Sequence, residues 1–278
     1  MRELTRTDRA RYTHQLGDSA PAQRVEALVA LAGDAVARAD GQAALRWLGQ
    51  ALEAAACLDS AEITAPMHML TGSIEMDAGH PEAAGMAFLD AASTYERAGL
   101  AQDACVARLQ AAVACMNSGS IDAVFSHARR AFESVCFLPD ESSMDLAVGI
   151  AETLSQFGAA ACGLEVLDLV EDCAARSEST PWLWNARSTR VVLLNHSGRA
   201  PAAIALAQEL LGDALDADSA IRATGVGVLL VDLQLRIGNR ASALRIVSEL
   251  HSRFVHRLPA TARAVLLEAM EHASAAAA

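Results

Sequence analysis

Four carboxylates, Glu165, Asp168, Glu171 and Asp172, crowd one short stretch of the chain. Paired carboxylates do acid–base work when burial drives their pKa values apart. Here they alternate with Val166, Leu167 and Val170, a spacing that puts the acids on the outward face of an amphipathic helix. His251 and His256 stand five apart, which is a poor fit to one helix face, and neither an HExxH run nor a cysteine–histidine cluster accompanies them. The run GVGVLLVD, residues 225–232, starts like a dinucleotide fingerprint but lacks the third glycine. No GxSxG elbow and no P-loop occurs. The sequence predicts a protein that is not an enzyme, with no catalytic residues, no metal and no cofactor.

The stretch LTGSIEMDAGHPEAAGMAFLDAASTYERAG, Leu70 to Gly99, has the small residues, acids and post-glycine histidine of a catalytic loop. Its glycine belongs to a series instead. From Gly79, Gly119 lies forty residues on, Gly158 thirty-nine further, and Gly198 and Gly238 follow at forty each; forty back is Ala39. A small residue recurs five positions later at Ala44, Ala84, Gly163, Ala203 and Ala243, with Val124 the exception. From there the apolar residues run at i, i+3, i+4 and i+7, as in Ala84, Ala87, Phe88 and Ala91, which is the stripe of a helix buried along one face. A second helix precedes each turn. Its entry is marked by Ser19 before Pro21, Thr64 before Pro66, Thr180 before Pro181, and Ser219. The expected unit is helix, tight glycine turn, helix, slightly longer loop.

These residues resemble the tetratricopeptide (TPR) repeat. Gly72, the Gly79 turn, Ala84, Phe88 and Ala91 fall at that family's signature spacing. The unit is about forty residues where the family has thirty-four, and the proline ending each repeat is missing. The long-period TPR-like repeats of bacterial signal-transduction regulators are the nearer likeness. The resemblance implies an all-α, right-handed superhelical solenoid of about six hairpins over residues 22–257. A capping helix or arm over 1–21 and a capping helix with an alanine-rich tail over 258–278 would close its ends. A bend is expected near 137–145. Gly72 and Ala84 would let paired helices approach, and Phe88 and Ala91 would pack into the next unit.

Composition agrees with helices. Of 278 residues, 53% are apolar yet only 4% aromatic, and alanine, the best helix former, supplies the excess. A net charge of -12 argues against nucleic acid, which recruits basic surface. No apolar run is long enough for a membrane span, and the N-terminus lacks a signal-peptide core. Cys57, Cys105, Cys115, Cys136, Cys162 and Cys173 sit in helical patterns with no CxxC pair, as small buried hydrophobes of a reducing compartment do. The expected location is cytoplasmic, and a homo-oligomer is compatible with the sequence. The N-terminal arginines, Arg2, Arg6, Arg9 and Arg11, read as a solvated helix face or as an arm for an acidic partner. Lysine is absent throughout, through codon bias or through selection against lysine-directed modification.

In TPR proteins the first helix of each hairpin lines the concave surface, so the resemblance implies a partner-binding groove here. Its residues would be Met69, Ser73, Met76 and Asp77, then Leu109, Val113, Met116 and Asn117. Glu152 and Gln156 come next, followed by Ser188, Asn195 and His196, and by Asp232 and Arg236. Methionines suit a surface that accepts an apolar peptide, or else fill space between helices. The family's carboxylate clamp depends on lysines, which this chain lacks. The expected function is a scaffold or adaptor for a protein or peptide segment. The alternative is a regulator whose shape responds to a peptide or small molecule. Trp182 and Trp184, opening the fifth unit, are expected to pack against the fourth.

Overall fold

The computed structural model describes residues 3–17, 19–58, 60–133 and 141–275. Among them are fourteen helices and no strand. The chain divides into two compact units, Met1–Ile150 and Ala151–Ala278. In the first, α1 (Arg6–Gln15) precedes the hairpins α2 (Pro21–Ala37) with α3 (Gly41–Ala55), α4 (Ala61–Asp77) with α5 (Pro81–Arg97), and α6 (Ala101–Asn117) with α7 (Ile121–Glu133). Helix α8 (Glu141–Gln156) contains the unit boundary. The second unit continues with α9 (Ala160–Arg176), α10 (Thr180–His196), α11 (Ala200–Asp216), α12 (Ala220–Arg236), α13 (Arg240–Phe254) and α14 (Ala260–Ala275). Part of the expected bend at 137–145 and all of Cys136 lie outside the described residues.

Every turn of the forty-residue series is left-handed, with φ of 57° at Ala39 and between 76° and 82° at Gly79, Gly119, Gly158, Gly198 and Gly238. Glycine enters this region without a Cβ penalty, which explains its recurrence. The local hydrogen bonds are those of a Schellman closure. At Gly79 the Gly79 N–H donates to the Met76 carbonyl at 3.0 Å and the His80 N–H to the Glu75 carbonyl at 2.9 Å. The His80 carbonyl in turn accepts from the Ala84 N–H at 3.0 Å, the first bond of α5. One residue thus ends one helix and starts the next.

The same closure recurs halfway between, at Gly99, Glu178 and Asp218, whose φ values are 73°, 58° and 49°. The loops between hairpins are therefore three residues at 98–100, 177–179 and 217–219, as short as those within hairpins, and the expected longer loop is corrected. Longer connections remain at 56–60 and 255–259. The beat is close to twenty residues, most often a seventeen-residue helix and a three-residue turn. Two of the helix entries are also corrected. Helix α4 begins at Ala61, so Pro66 lies inside it on an exposed face, where the loss of one N–H is tolerated. Ser179, not Thr180, precedes α10. No side chain caps α2, α4, α10 or α12, whereas Asp40 caps α3 at the Ala43 N–H, 3.0 Å away.

Small residues set how closely helices meet. Ala44, Ala84, Ala203 and Ala243 are fully buried. A Cβ on Gly72 would lie 2.6 Å from the Phe88 ring, and one on Gly163 would lie 2.5 Å from the Ala151 carbonyl oxygen. Phe88 clusters with Ala111 and Ala114 of α6, and Ala91 with Ala107, so both reach into the next hairpin as the resemblance implies. Trp184 packs onto the cluster built from α10 to α14, under the Arg222 guanidinium 5.1 Å from its ring centroid. It thus meets α12 of the sixth unit. Cys105 and Cys173 are buried as expected, but Cys57 is exposed.

Charges fasten neighbouring helices. Asp34, 1% exposed, accepts from Arg9 Nε at 2.8 Å, from Arg38 Nε at 3.1 Å and from the Leu4 N–H at 2.8 Å. Helix α1 buries no residue, so this carboxylate is its principal anchor, and the half-buried Arg9 is engaged within the protein. Arg190 of α10 joins Asp168 at 2.5 Å and Glu171 at 2.6 Å. That corrects the purely solvated reading of those acids. Arg108, 5% exposed, pairs with Glu96.

Two outcomes follow from this packing. Gly163→Ala and Gly72→Ala both overpack a helix contact, at a cost of about 1–3 kcal/mol. Gly163→Ala should lie at the upper end, because a backbone carbonyl cannot rotate away as the Phe88 ring can; thermal melts of both variants check the order. The Arg9 hydrogen bond holds the Asp34 carboxyl below its usual range despite the opposing effect of burial. Docking of α1 is then at full strength above about pH 4, the unfolded value, and is lost as pH falls through the lowered native value. Amide exchange of residues 6–15 should accelerate there, and in Asp34→Ala at neutral pH, while α10 to α13 stay protected.

Candidate functional site

Counting back from Gly79, Gly119, Gly158, Gly198 and Gly238 places several of the candidate groove residues in register. Two positions before it stand Asp77, Asn117, Gln156, His196 and Arg236, all polar and all exposed. Six positions before it stand Ser73, Val113, Glu152, Val192 and Asp232, of which the three polar ones are exposed and the two valines half-buried. Positions four apart share a helix face, so each first helix presents two such places on one strip.

The apolar candidates behave differently. Leu109 is 0% exposed and part of the helix packing, which removes it from any groove wall and corrects the expectation. Met69 and Met76 are half-buried against the Ala84, Phe88, Ala111 and Ala114 cluster, so they fill space between helices while keeping an outer edge. Val113 and Met116 are half-buried. Ser73 turns its hydroxyl to the Met69 carbonyl at 3.1 Å, and Asn117 donates to the Val113 carbonyl at 3.2 Å.

In the second unit polar contacts join successive first helices. Thr189 of α10 donates to Glu152 of α8 at 3.3 Å, and Ser155 of α8 meets His196 Nδ1 of α10 at 3.1 Å. Ser155 and Thr189 are 7% and 6% exposed and were missed by the sequence reading. Their signal was the spacing, thirty-seven between Glu152 and Thr189 and forty-one between Ser155 and His196, which brackets the repeat. Asp232 pairs with Arg236 one turn on, at 2.8 Å. Asn195 is half-buried, and Ser188 Oγ finds no hydrogen-bond partner among the described residues.

Three of the clefts on this framework bear on the candidate site. One of about 830 Å³ lies between the end of α3, the start of α4 and the end of α5, with Ser60, Thr64, His68, Thr94 and Arg97 on its walls. One of about 700 Å³ lies at the opposite ends of α3 and α4, beside Leu45, Ile74 and Glu75. A third of about 250 Å³ lies between α12 and α14. Among the described residues no three His, Cys, Asp or Glu side chains gather as metal ligands, and no helix is long and apolar enough to cross a membrane. His80, which the opening glycine run made conspicuous, is exposed and meets Glu75 at 2.8 Å. The GVGVLLVD run lies within α12, where no phosphate loop can form.

No protein-family model and no curated protein matches the sequence. Among solved structures, the chain is similar to the Signal Transduction ATPase with Numerous Domains (STAND) protein with a tetratricopeptide repeat sensor from Pyrococcus horikoshii. The TM-score is 0.57 at 13% identity, covering 94% of this chain and 40% of that one. The chain therefore spans well under half the length of that protein. Weaker likenesses are a putative kinesin light chain with nearly identical TPR-like repeats from Podosopora anserina and yeast Tom70. The first has a TM-score of 0.49 at 11% identity over 67% of this chain and 92% of that one. The second has 0.47 at 13% identity over 98% and 53%. Fold and likeness agree: the chain is a tetratricopeptide-like helical repeat protein.

Proposed function

We propose that this protein is a non-catalytic scaffold that binds a protein or peptide segment along the outer strip of its first helices. The observation that carries the reading is the register of Asp77, Asn117, Gln156, His196 and Arg236, exposed and polar at the same place in five successive units. Within each compact unit, a partner lying across the hairpins meets one such group per repeat, a layout suited to an extended chain with its own periodic side chains. Second helices carry an exposed polar register of their own at Gln50, Asp90, Arg130, Glu209 and Glu249, which makes them the comparison surface for the test. Some titratable groups are engaged in helix-to-helix pairs, such as Arg190 with Asp168 and Glu171, which supports a structural use of charge.

The test compares two surfaces. Ser73→Arg with Asn117→Arg alters exposed first-helix positions, and Met86→Arg alters a second-helix residue that is 63% exposed. Proteins captured by the wild type and identified by mass spectrometry should be lost about tenfold by the first pair and kept by the second, at unchanged helicity and melting temperature. Capture kept by the first-helix variant and lost by Met86→Arg would move the site to the second helices.

A second reading, a small-ligand sensor, has the 830 Å³ cleft in its favour, a volume inside the range of small-molecule sites. Burial holds the His68 imidazole below its ordinary pKa, so it is neutral at pH 7 and offers one donor and one acceptor beside Arg97. A ligand seated there should raise the melting temperature of the wild type and not of a His68→Phe, Arg97→Ala variant, whose own melting temperature provides the reference.

A further inference from the structure

The cleft between α12 and α14 differs in chemistry from the others. Its floor is Val231 and Ala269, both buried, and its walls are Val228, Leu235 and Val265. Val265 is 48% exposed, a large apolar side chain left at the mouth of an apolar cavity. Two carboxylates stand on the rim, Asp232 and Glu268, together with His272. Asp232 is already paired with Arg236, while Glu268 makes no ion pair among the described residues. At about 250 Å³ the space falls below the roughly 300–1,000 Å³ of small-molecule pockets, and suits one side chain of a larger partner.

We infer that this cleft is a socket for a single aliphatic side chain, leucine-sized, carried by a basic peptide segment whose cation pairs with Glu268. The inference rests on the first-helix reading above and names the chemistry of one of its contacts. Two features favour a basic occupant. The rim offers an unpaired carboxylate beside apolar walls, so an arginine or lysine next to the anchor gains a partner while its stem covers Val265. The chain carries a net charge of -12, which steers cationic segments toward it. The apolar walls supply affinity and the carboxylate supplies selection of the flanking residue. Helix α14 thereby contributes half of a binding site through Val265, Glu268 and Ala269.

The experiment uses the full chain with carbon-13 methyl-labelled valine and leucine, titrated with a synthetic Gly-Arg-Leu-Arg-Gly peptide. The controls are a serine-for-leucine peptide and a glutamate-for-arginine peptide. The expected result is movement of the Val228, Leu235 and Val265 methyl signals. Binding should be about tenfold weaker for the serine peptide, the loss of one buried aliphatic side chain. Glu268→Gln should weaken the arginine peptide about two- to fivefold, the scale of an exposed ion pair, and leave the serine-to-leucine ratio unchanged. No movement of those methyls, or equal binding of the glutamate peptide, overturns the inference. Movement of Val113 or Val192 methyls alone would overturn it while leaving the first-helix reading intact. Loss of capture by Met86→Arg but not by the first-helix variant would remove that reading itself.

Discussion

The structure depends on a residue shared by two helices. At each three-residue turn one residue gives its N–H to a carbonyl of the helix just ended and its carbonyl to the helix about to begin. His80, Leu100, Ser120, Ala159, Arg199 and Ser219 all do this. Helix ends leave four carbonyls and four N–H groups without partners, and a short turn must satisfy them locally. The left-handed residue just before the shared one makes the geometry reachable. Because both ends are fixed by the same few atoms, each helix leaves its turn at a set angle, and a register once started propagates along each unit.

Given that register, packing follows from size. Two helices joined by three residues are held close, and the contact faces must be small. Glycine at 72 and 163 sits where a methyl would strike a ring or a backbone carbonyl, and alanine fills most of the equivalent places elsewhere, with valine at 124, 191 and 231. The high alanine content is thus a packing requirement as much as a helix preference. Where bulk is needed it comes from one partner only. Leu250 occupies the space that Gly227 leaves, and Phe88 the space that Gly72 leaves. Ion pairs with one buried partner, such as Asp34 with Arg9 and Arg108 with Glu96, add fixed contacts between helices that alanine alone would leave loosely specified.

The fold was legible wherever the backbone demands a particular residue. Glycine at the left-handed positions announced the forty-residue period, and Ala39 was found by phase alone. The half period stayed hidden because Glu178 and Asp218 adopt the same conformation without being glycine. Helix faces were legible from the apolar stripe, yet not which neighbour each face meets: Trp184 meets the following unit, and Leu109 turned toward the interior. Long-range pairs such as Arg9 with Asp34, or Ser155 with His196, depend on side-chain reach across the stack and leave no local trace. The candidate strip was legible because it inherits the register of the turns. Its methionines were ambiguous because one side chain can pack inward and keep an outer edge.

The stretch from Leu70 to Gly99 shows how a repeat imitates a catalytic loop. Its glycines, acid and histidine answer to turn closure and helix contact. Residue-resolved amide hydrogen exchange tests that account most directly. It predicts slow exchange at His80, Leu100, Ser120, Ala159, Ser179, Arg199, Ser219 and Asn239, protected turn amides about twenty residues apart within each unit. Exchange at those amides as fast as in an unstructured loop would contradict it.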